Sequence, residues 1–323
     1  MSGDVILVTG GAGYVGSHTC LRLAEAGYRP VVYDSLARGW ADFVQWGPLE
    51  VGDIRDRARL ETVFAQHRPA AVVHFAALIE VGESTKDPAG FYDNNVGGSL
   101  ALLDVARRAG CGGVVFSSTC AVYGTPQSLP LVESHPCNPL SPYGRSKLMV
   151  EEALADLDRW NGFPSVRLRY FNAAGADPEG RIGEKHEPET HAIPNAIFAA
   201  LGRQLFTLFG TDYDTRDGTA VRDFVHVLDL ADAHVAAVGR LLGGGGSDTF
   251  NLGTGRGTTV RELIDAVRTV SGRPFDVVEA PRRDGDAPTL VADNRKASTL
   301  LDWRPAYGLE AIVDTAWRWH TRA

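Results

Sequence analysis

Cysteines are few and badly spaced for structural chemistry: Cys20, Cys111, Cys120 and Cys137 are the only four in 323 residues, and no two form a CxxC pair. A disulfide-stapled fold is excluded, structural zinc is unsupported and no metal is expected, while free thiols suit a reducing compartment. Long apolar runs are missing as well. The polar start at residues 1–4 shows neither a basic leader nor a cleavage site, so the expectation is a cytoplasmic chain with no membrane partner. Basic blocks are also absent. Lys+Arg 32 against Asp+Glu 40 leaves a net charge of −8, which would repel a long phosphate backbone, so nucleic acid is not an expected partner. Lysine is scarce, with four residues beside nine tyrosines.

What is present is the composition of a globular protein, 44% hydrophobic and 22% charged, long enough for one large or two ordinary domains. Short apolar runs at residues 5–8, 30–33, 71–75, 113–116 and 166–170 alternate with segments long enough for helices. Runs of this kind read as buried parallel strands, and parallel neighbours require crossovers. The fold class predicted is α/β, a doubly wound parallel sheet (Rossmann) over residues 1–172. After Asn172 a turn-rich stretch opens a second, smaller mixed α/β domain over residues 173–323, with some segments returning to the first. Helices are expected there at 192–202, 227–242 and 259–270.

The first strand ends in Thr9, Gly10, Gly11, Ala12, Gly13, Tyr14, Val15 and Gly16, which open a helix. Glycines permit a tight turn and close backbone approach, and a helix N-terminus offers free N–H groups to a pyrophosphate. The string alone is weak, since about 0.4 chance matches are expected at this glycine content. Its context is persuasive: Asp34 follows Gly16 by 18 residues, at the end of the second strand, where a carboxylate accepts hydrogen bonds from a ribose and repels a 2′-phosphate. NAD is therefore expected over NADP, with Arg38 nearby softening the preference.

Tyr143 and Lys147 stand four apart on one helix face. A phenol with a pKa near 10 is a poor base unless a cation stabilises the phenolate, and Lys147 supplies that charge. With so few lysines, about 0.1 such pairs are expected by chance. Thr119 adds a hydroxyl at a strand's carboxyl end, the edge where doubly wound folds bind ligands.

Ordered motifs then extend over nearly the whole chain: Asp53-Ile54, His74 to Ala77, Tyr92 to Val96, Ser117 to Thr119, Ser141 to Lys147, Arg169 to Asn172, Phe209 to Tyr213, Asp217 to Thr219, Val221 to Val227, Asn251 to Gly255 and Pro281 to Asp286. They resemble the extended short-chain dehydrogenases/reductases, and within that family the enzymes that epimerise nucleotide sugars. The resemblance implies a tightly bound NAD, UDP-glucose and UDP-galactose as interconverted substrates, and a homodimer packed through the helices at 99–109 and 143–160. By position, it puts Gly10, Gly13, Tyr14, Val15, Gly16, Asp34, Asp53, Ile54, Phe75, Ala76, Ala77, Asn94 and Phe171 around the cofactor. It makes Tyr143 the base, Lys147 its electrostatic partner and Thr119 the hydroxyl bonded to the reacting sugar oxygen, all three also touching NAD. Asn172, His191, Phe209, Arg222, Arg283 and Asp286 fall where the family grips UDP, and Leu290 borders the sugar pocket, where a small residue admits N-acetylated sugars and a tyrosine excludes them.

Departures from the pattern are informative. Related dehydratases carry two acidic residues after the threonine and related decarboxylases keep one glutamate, but here Cys120 and Ala121 stand there. Some relatives have lysine at the position of Ile79. Three alternatives stay open from the residues: an epimerase acting on UDP-N-acetylglucosamine or a UDP-pentose, a net nucleotide-sugar oxidoreductase, and a catalytically dead dinucleotide sensor.

Overall fold

The computed structural model describes residues 3–283 and 287–322. All five apolar runs form strands. β1 (Val5–Thr9) leads through α1 (Tyr14–Glu25) to β2 (Arg29–Asp34), β3 (Leu49–Val51), α2 (Arg57–His67) and β4 (Ala71–His74). The short helices α3 (Val81–Lys86) and α4 (Pro88–Tyr92) continue through a π-helical turn, Asp93–Gly98, into α5 (Ser99–Arg108), β5 (Val114–Thr119), α6 (Pro142–Asn161) and β6 (Ser165–Tyr170). Then come β7 (Asn172–Ala174), α7 (Ala192–Ala200), β8 (Phe206–Phe209), β9 (Val221–Arg222), β10 (Phe224–His226), α8 (Val227–Leu242) and β11 (Asp248–Leu252). The last stretch holds β12 (Thr258–Thr259), α9 (Val260–Ser271), β13 (Val277–Ala280), β14 (Thr289–Leu290), α10 (Arg295–Leu300) and α11 (Leu309–His320).

Seven strands form one sheet in the order β11-β6-β5-β4-β1-β2-β3, and every neighbouring pair is parallel. Side chains alternate between its faces, as strand geometry requires. Ile6, Val8, Val32, Val115, Val166 and Phe250 pack with Cys20 and Leu23 of α1 and Leu230, Ala237 and Val238 of α8. Leu7, Val31, Val72, Val114 and Phe116 meet Leu60 and Val63 of α2, Leu102 and Leu103 of α5, and Val150 and Leu154 of α6. This is the doubly wound α/β fold. A separate apolar cluster joins α7, α9 and α11 to β8 and β13 through Ile197, Leu208, Leu263, Val267 and Ile312. α9 is closed at its start by reciprocal bonds between Thr259 and Glu262 and at its end by Gly272 in the left-handed conformation. Among the described residues, no helix is long and apolar enough to cross a membrane.

Two strands of the large sheet carry no apolar run in the sequence. β3 is Leu49-Glu50-Val51, and β11 interleaves Asp248, Thr249 and Asn251 with its two buried apolar residues. Both lie at sheet edges, where hydrogen bonding to a single neighbour sets the register. α8, grouped by sequence with the second domain, packs against α1 and the large sheet instead. Its helical periodicity shows that one face is buried but not against which layer.

Phe250 tests how far the sheet depends on this late strand. It is fully buried, and Phe250→Ala is expected to lower the unfolding free energy by about 3–5 kcal/mol. Urea denaturation measures this; a loss below about 1 kcal/mol would mean that β11 is not integral to the core.

Candidate active site

Right-handed crossovers place α1 on one face of the sheet and α5 on the other, so the carboxyl ends of β1 and β4 are left open between them. The glycine turn fills the floor of this crevice. A Cβ on Gly10, which has φ +74°, would lie 2.6 Å from the Ala76 nitrogen, and one on Gly16 would lie 2.2 Å from the Gly10 oxygen. Phe75 and Ala76 each donate a backbone N–H to Thr9 O, closing the turn onto the end of β4, with Ala77 next along the chain. Gly13 precedes α1, no side chain caps that helix, and Tyr14, Val15 and Gly16 form its first turn. Backbone N–H groups and the positive helix end are thus offered to an anion across a surface with no room for side chains.

Asp34 ends β2 beside this turn. Its carboxylate accepts from Ala12 N at 3.0 Å and Leu36 N at 2.8 Å. Burial pushes its pKa up, and the two N–H bonds oppose that. Carboxylate lone pairs remain for a diol. Farther along, Ile54 is buried, Asp53 is paired with Arg55 at 2.6 Å, and Tyr33 Oη donates to Asp53 O at 2.8 Å. Asn94 sits in the π-helical turn and donates to Asn95 Oδ1, the same atom that accepts from Leu78 N. Phe171 is buried just beyond β6, its N–H donating to Leu252 O. The cradle, the carboxylate and the apolar walls fit a dinucleotide.

α6 begins where Ser141 Oγ accepts from Gly144 N at 3.1 Å and Pro142 occupies the first turn. Proline there gives up no needed hydrogen bond. Tyr143 and Lys147 follow on the face toward β5, both buried. Lys147 Nζ donates to Ser117 O at 2.8 Å and lies 4.9 Å from the Phe116 ring centre. Burial lowers its pKa to about 7, against the attraction of Glu151. Tyr143 is shifted the other way: burial and then Tyr170 raise its pKa, while a hydrogen bond with Thr119 opposes them. Thr119 Oγ1 accepts from Ala121 N at 3.1 Å, which leaves its proton free to donate toward Tyr143 or a ligand oxygen.

The residues expected on the substrate side come from the later chain. Asn172 opens β7 and donates its N–H to Asp223 O. Arg222, on β9, donates to Val221 O and Ala287 O, both at 2.9 Å. Leu290 stands opposite Arg222 in the β14–β9 register and packs in the cluster of Val122, Tyr123 and Phe171, beside Cys120. Phe209 ends β8, with the Arg283 guanidinium 4.8 Å from its ring centre. Asp286 lies outside the described residues. His191 precedes α7, where Glu184 and Glu189 each approach its Nδ1 at 2.9 Å. Burial opposes its charge, but those carboxylates prevail and push its pKa up to about 10. Tyr14 uses its phenol to donate to Gly175 O at 2.6 Å, binding the glycine turn to the segment after β7.

The sequence reading missed several residues that hold this arrangement. Glu151 accepts from Ser118 Oγ and pairs with Arg169 at 2.5 Å, with both charges buried. Arg169 also donates to Tyr123 Oη, which donates to Asn251 Oδ1. The signal was present, because Tyr143, Lys147 and Glu151 follow one another at four-residue spacing on a single helix face. Asn95 bridges Leu78 O to Ser146 Oγ, and Ser146 Oγ donates to Tyr143 O at 2.7 Å. No local pattern announces that link.

The chain is similar to known proteins over nearly its whole length. The sequence profile described as the NAD dependent epimerase/dehydratase family matches residues 6–253. A UDP-glucose 4-epimerase of Rhizobium leguminosarum bv. trifolii is 63% identical over 100% of this chain and 99% of its own. The crystal structure of UDP-glucose 4-epimerase from Brucella ovis in complex with NAD is 49% identical, with a TM-score of 0.96 and 98% of each chain covered. The enzyme from Bifidobacterium longum, solved with NAD+ and UDP, is 36% identical, with a TM-score of 0.92 and again 98% of each chain covered.

Lys147 gives the site a pH signature. Its folded pKa of about 7 lies below the unfolded value near 10.4, so between these limits the unfolded chain binds more protons and stability rises with pH. In NAD-free protein, Lys147→Met is therefore expected to be more stable than the wild type at pH 7, the gap shrinking as pH approaches 10. Urea unfolding of both proteins at the two pH values measures it, and an unchanged gap would contradict the buried, strained ammonium.

Proposed function

The chain belongs to the NAD dependent epimerase/dehydratase family, and on that premise we propose that it inverts C4 of a UDP-hexose, interconverting UDP-glucose and UDP-galactose with NAD as its resident cofactor. The observation that carries this reading is that Tyr143 and Lys147 are both buried one turn apart on α6, Tyr143 hydrogen-bonded with Thr119 at the end of β5, on the sheet edge that holds the glycine cradle. When bound, NAD accepts the C4 hydrogen as hydride and later gives it back.

The chain's own residues manage the proton and the grip. Tyr143 Oη takes the proton of the sugar 4-hydroxyl and returns it at the end. Lys147, held by Ser117 O, stabilises the phenolate by proximity of charge. Thr119 orients the reacting oxygen. Inversion requires the oxidised sugar to present its opposite face, so a rigid grip on the sugar itself would block the reaction. In this reading Arg222 and Arg283 hold the diphosphate away from the reacting carbon, and Asn172, His191, Phe209 and Asp286 complete the UDP site. Leu290 borders the sugar. Cys120 and Ala121 supply no carboxylates for dehydration.

The residues around the cofactor are those of the cradle: Gly10, Gly13 and Gly16 beneath the pyrophosphate, Asp34 on the adenosine ribose, and Phe75 to Ala77 along the dinucleotide. We place residues 1–172 as the cofactor part and 173–323 as the UDP-sugar part, with α8 and β11 returning to the sheet. The setting proposed is cytoplasmic, in keeping with four free thiols. A homodimer is proposed through α5 and α6, where Leu100 and Met149 are 44% and 41% exposed while their neighbours Leu102, Leu103, Val150 and Leu154 face the core.

Purified protein given UDP-galactose without added NAD is expected to form UDP-glucose, which separates an epimerase from a net oxidoreductase and from a dead sensor. Tyr143→Phe keeps the ring and loses the base, so kcat should fall by about 10²- to 10⁴-fold with NAD still bound. Near-normal turnover by that variant would refute the assignment of the base.

For the assembly, light scattering should report a dimer for the wild type and a monomer for Leu100→Arg combined with Met149→Glu. A wild type that is monomeric at micromolar concentration would rule the interface out.

A further inference from the structure

Glu184, His186, Glu189 and His191 occupy one loop before α7, and among the described residues they form a cluster in which each contributes one metal-ligand-type atom within 4.8 Å of the others. Two histidines at a five-residue offset, each two residues after a glutamate, aim the same ring atom at the same two carboxylates. His191 Nδ1 is 2.9 Å from Glu184 Oε1 and 2.9 Å from Glu189 Oε1, while His186 Nδ1 is 3.4 Å from Glu184 Oε1 and 3.6 Å from Glu189 Oε2. The two imidazole centres are 4.9 Å apart.

His191 Nδ1 donates to Glu189 Oε1, while His186 meets Glu184 and Glu189 at longer, ion-pair distances. His186 Nδ1 is closed off from solvent and makes no aligned hydrogen bond. At 3.4 and 3.6 Å it stands at ion-pair distance from one oxygen of each glutamate, so both imidazoles face the same two carboxylates. Bonds of about 2.0–2.1 Å to a tetrahedral cation put ligand atoms about 3.3 Å apart, and here the nitrogen–oxygen separations run from 2.9 to 3.6 Å, one carboxylate oxygen of Glu184 and both of Glu189 being involved. Two carboxylates balance a dication, and in the metal-free protein the two imidazolium charges do so instead.

The loop is also built in place. Trp319 Nε1 donates to Glu184 O at 2.8 Å, Trp40 Nε1 to Lys185 O at 3.0 Å, and Arg38 to Glu187 O at 3.0 Å. Glu189 Oε1 is further fixed by the N–H groups of Thr190 and His191, both at 2.8 Å. The side chains Glu184 and Glu189 are buried, 3% and 8% exposed. Ligating side chains held this way lose little freedom on binding.

We propose that Glu184, His186, Glu189 and His191 form a structural site for one divalent transition cation, with zinc the best match to two imidazoles and two carboxylates. The cation pins the loop between the glycine-turn side of the molecule and α11, and it takes no part in the hydride chemistry.

The test uses holoenzyme treated with chelator and dialysed. Titration calorimetry with zinc is expected to show one equivalent per chain with a Kd below about 10⁻⁶ M, and zinc should raise the melting temperature where magnesium does not. Cobalt should give the intense visible absorption of a tetrahedral site. His186→Ala should weaken zinc binding at least about tenfold with NAD content and circular dichroism unchanged. Should that variant fold poorly, the cobalt spectrum of the wild type decides alone. Substoichiometric binding, a pale octahedral cobalt spectrum, an equal response to magnesium, or undiminished affinity in a folded His186→Ala would each overturn the site.

Discussion

Where the chain leaves β1 it crosses one face of the sheet, and where it leaves β4 it crosses the other, so no helix covers the gap between their carboxyl ends. The glycine turn can lie flat in that gap only because it carries no side chains: any Cβ at Gly10 or Gly16 would collide with backbone. Every other part of the site is arranged around this opening. β2 brings Asp34 to one side, β5 brings Thr119 to the other, and α6 lays Tyr143 and Lys147 along the edge. Two core clusters on opposite faces hold these strand ends in register, so the geometry of the site follows from the packing of the sheet.

A buried ammonium is the least comfortable element of the arrangement. Lys147 is shut off from water, with its charge opposed by desolvation. The fold answers with the Ser117 carbonyl directly and with Glu151 one turn farther along α6. Glu151 in turn is neutralised by Arg169 on β6, a strand-to-helix ion pair that also carries Ser118 and Tyr123. Removing one partner of such a buried pair leaves an uncompensated charge, a cost of about 3–5 kcal/mol. Through Tyr123 the network ties the residues behind Tyr143 and Lys147 to the apolar cluster that contains Leu290.

The later chain does two jobs. β11 completes the first sheet with α8 and α10 packed against it, while α7, α9 and α11 form a helical cluster on β8 and β13. Residues 183–191 join the halves, since their carbonyls are held by Trp40 and Arg38 on one side and by Trp319 on the other. Through Tyr14 Oη on Gly175 O, the first turn of α1 is tied to the same region. The glycine turn and the segment before α7 are thus mechanically continuous.

Local physics was legible from residue order alone. Glycine spacing after an apolar run, a carboxylate at the next strand end, and a phenol and ammonium one helical turn apart depend on strand and helix geometry that neighbouring residues impose. Glu151 belonged to the same helical pattern and was overlooked. What only the tertiary structure decided are the pairings between distant segments: Arg169 with Glu151, Asn95 with Ser146, α8 with the large sheet, and β3 and β11 as its polar edges. Those choices rest on which buried faces and charges meet once the layers close, and sequence spacing carries no information about a partner that packing alone brings near.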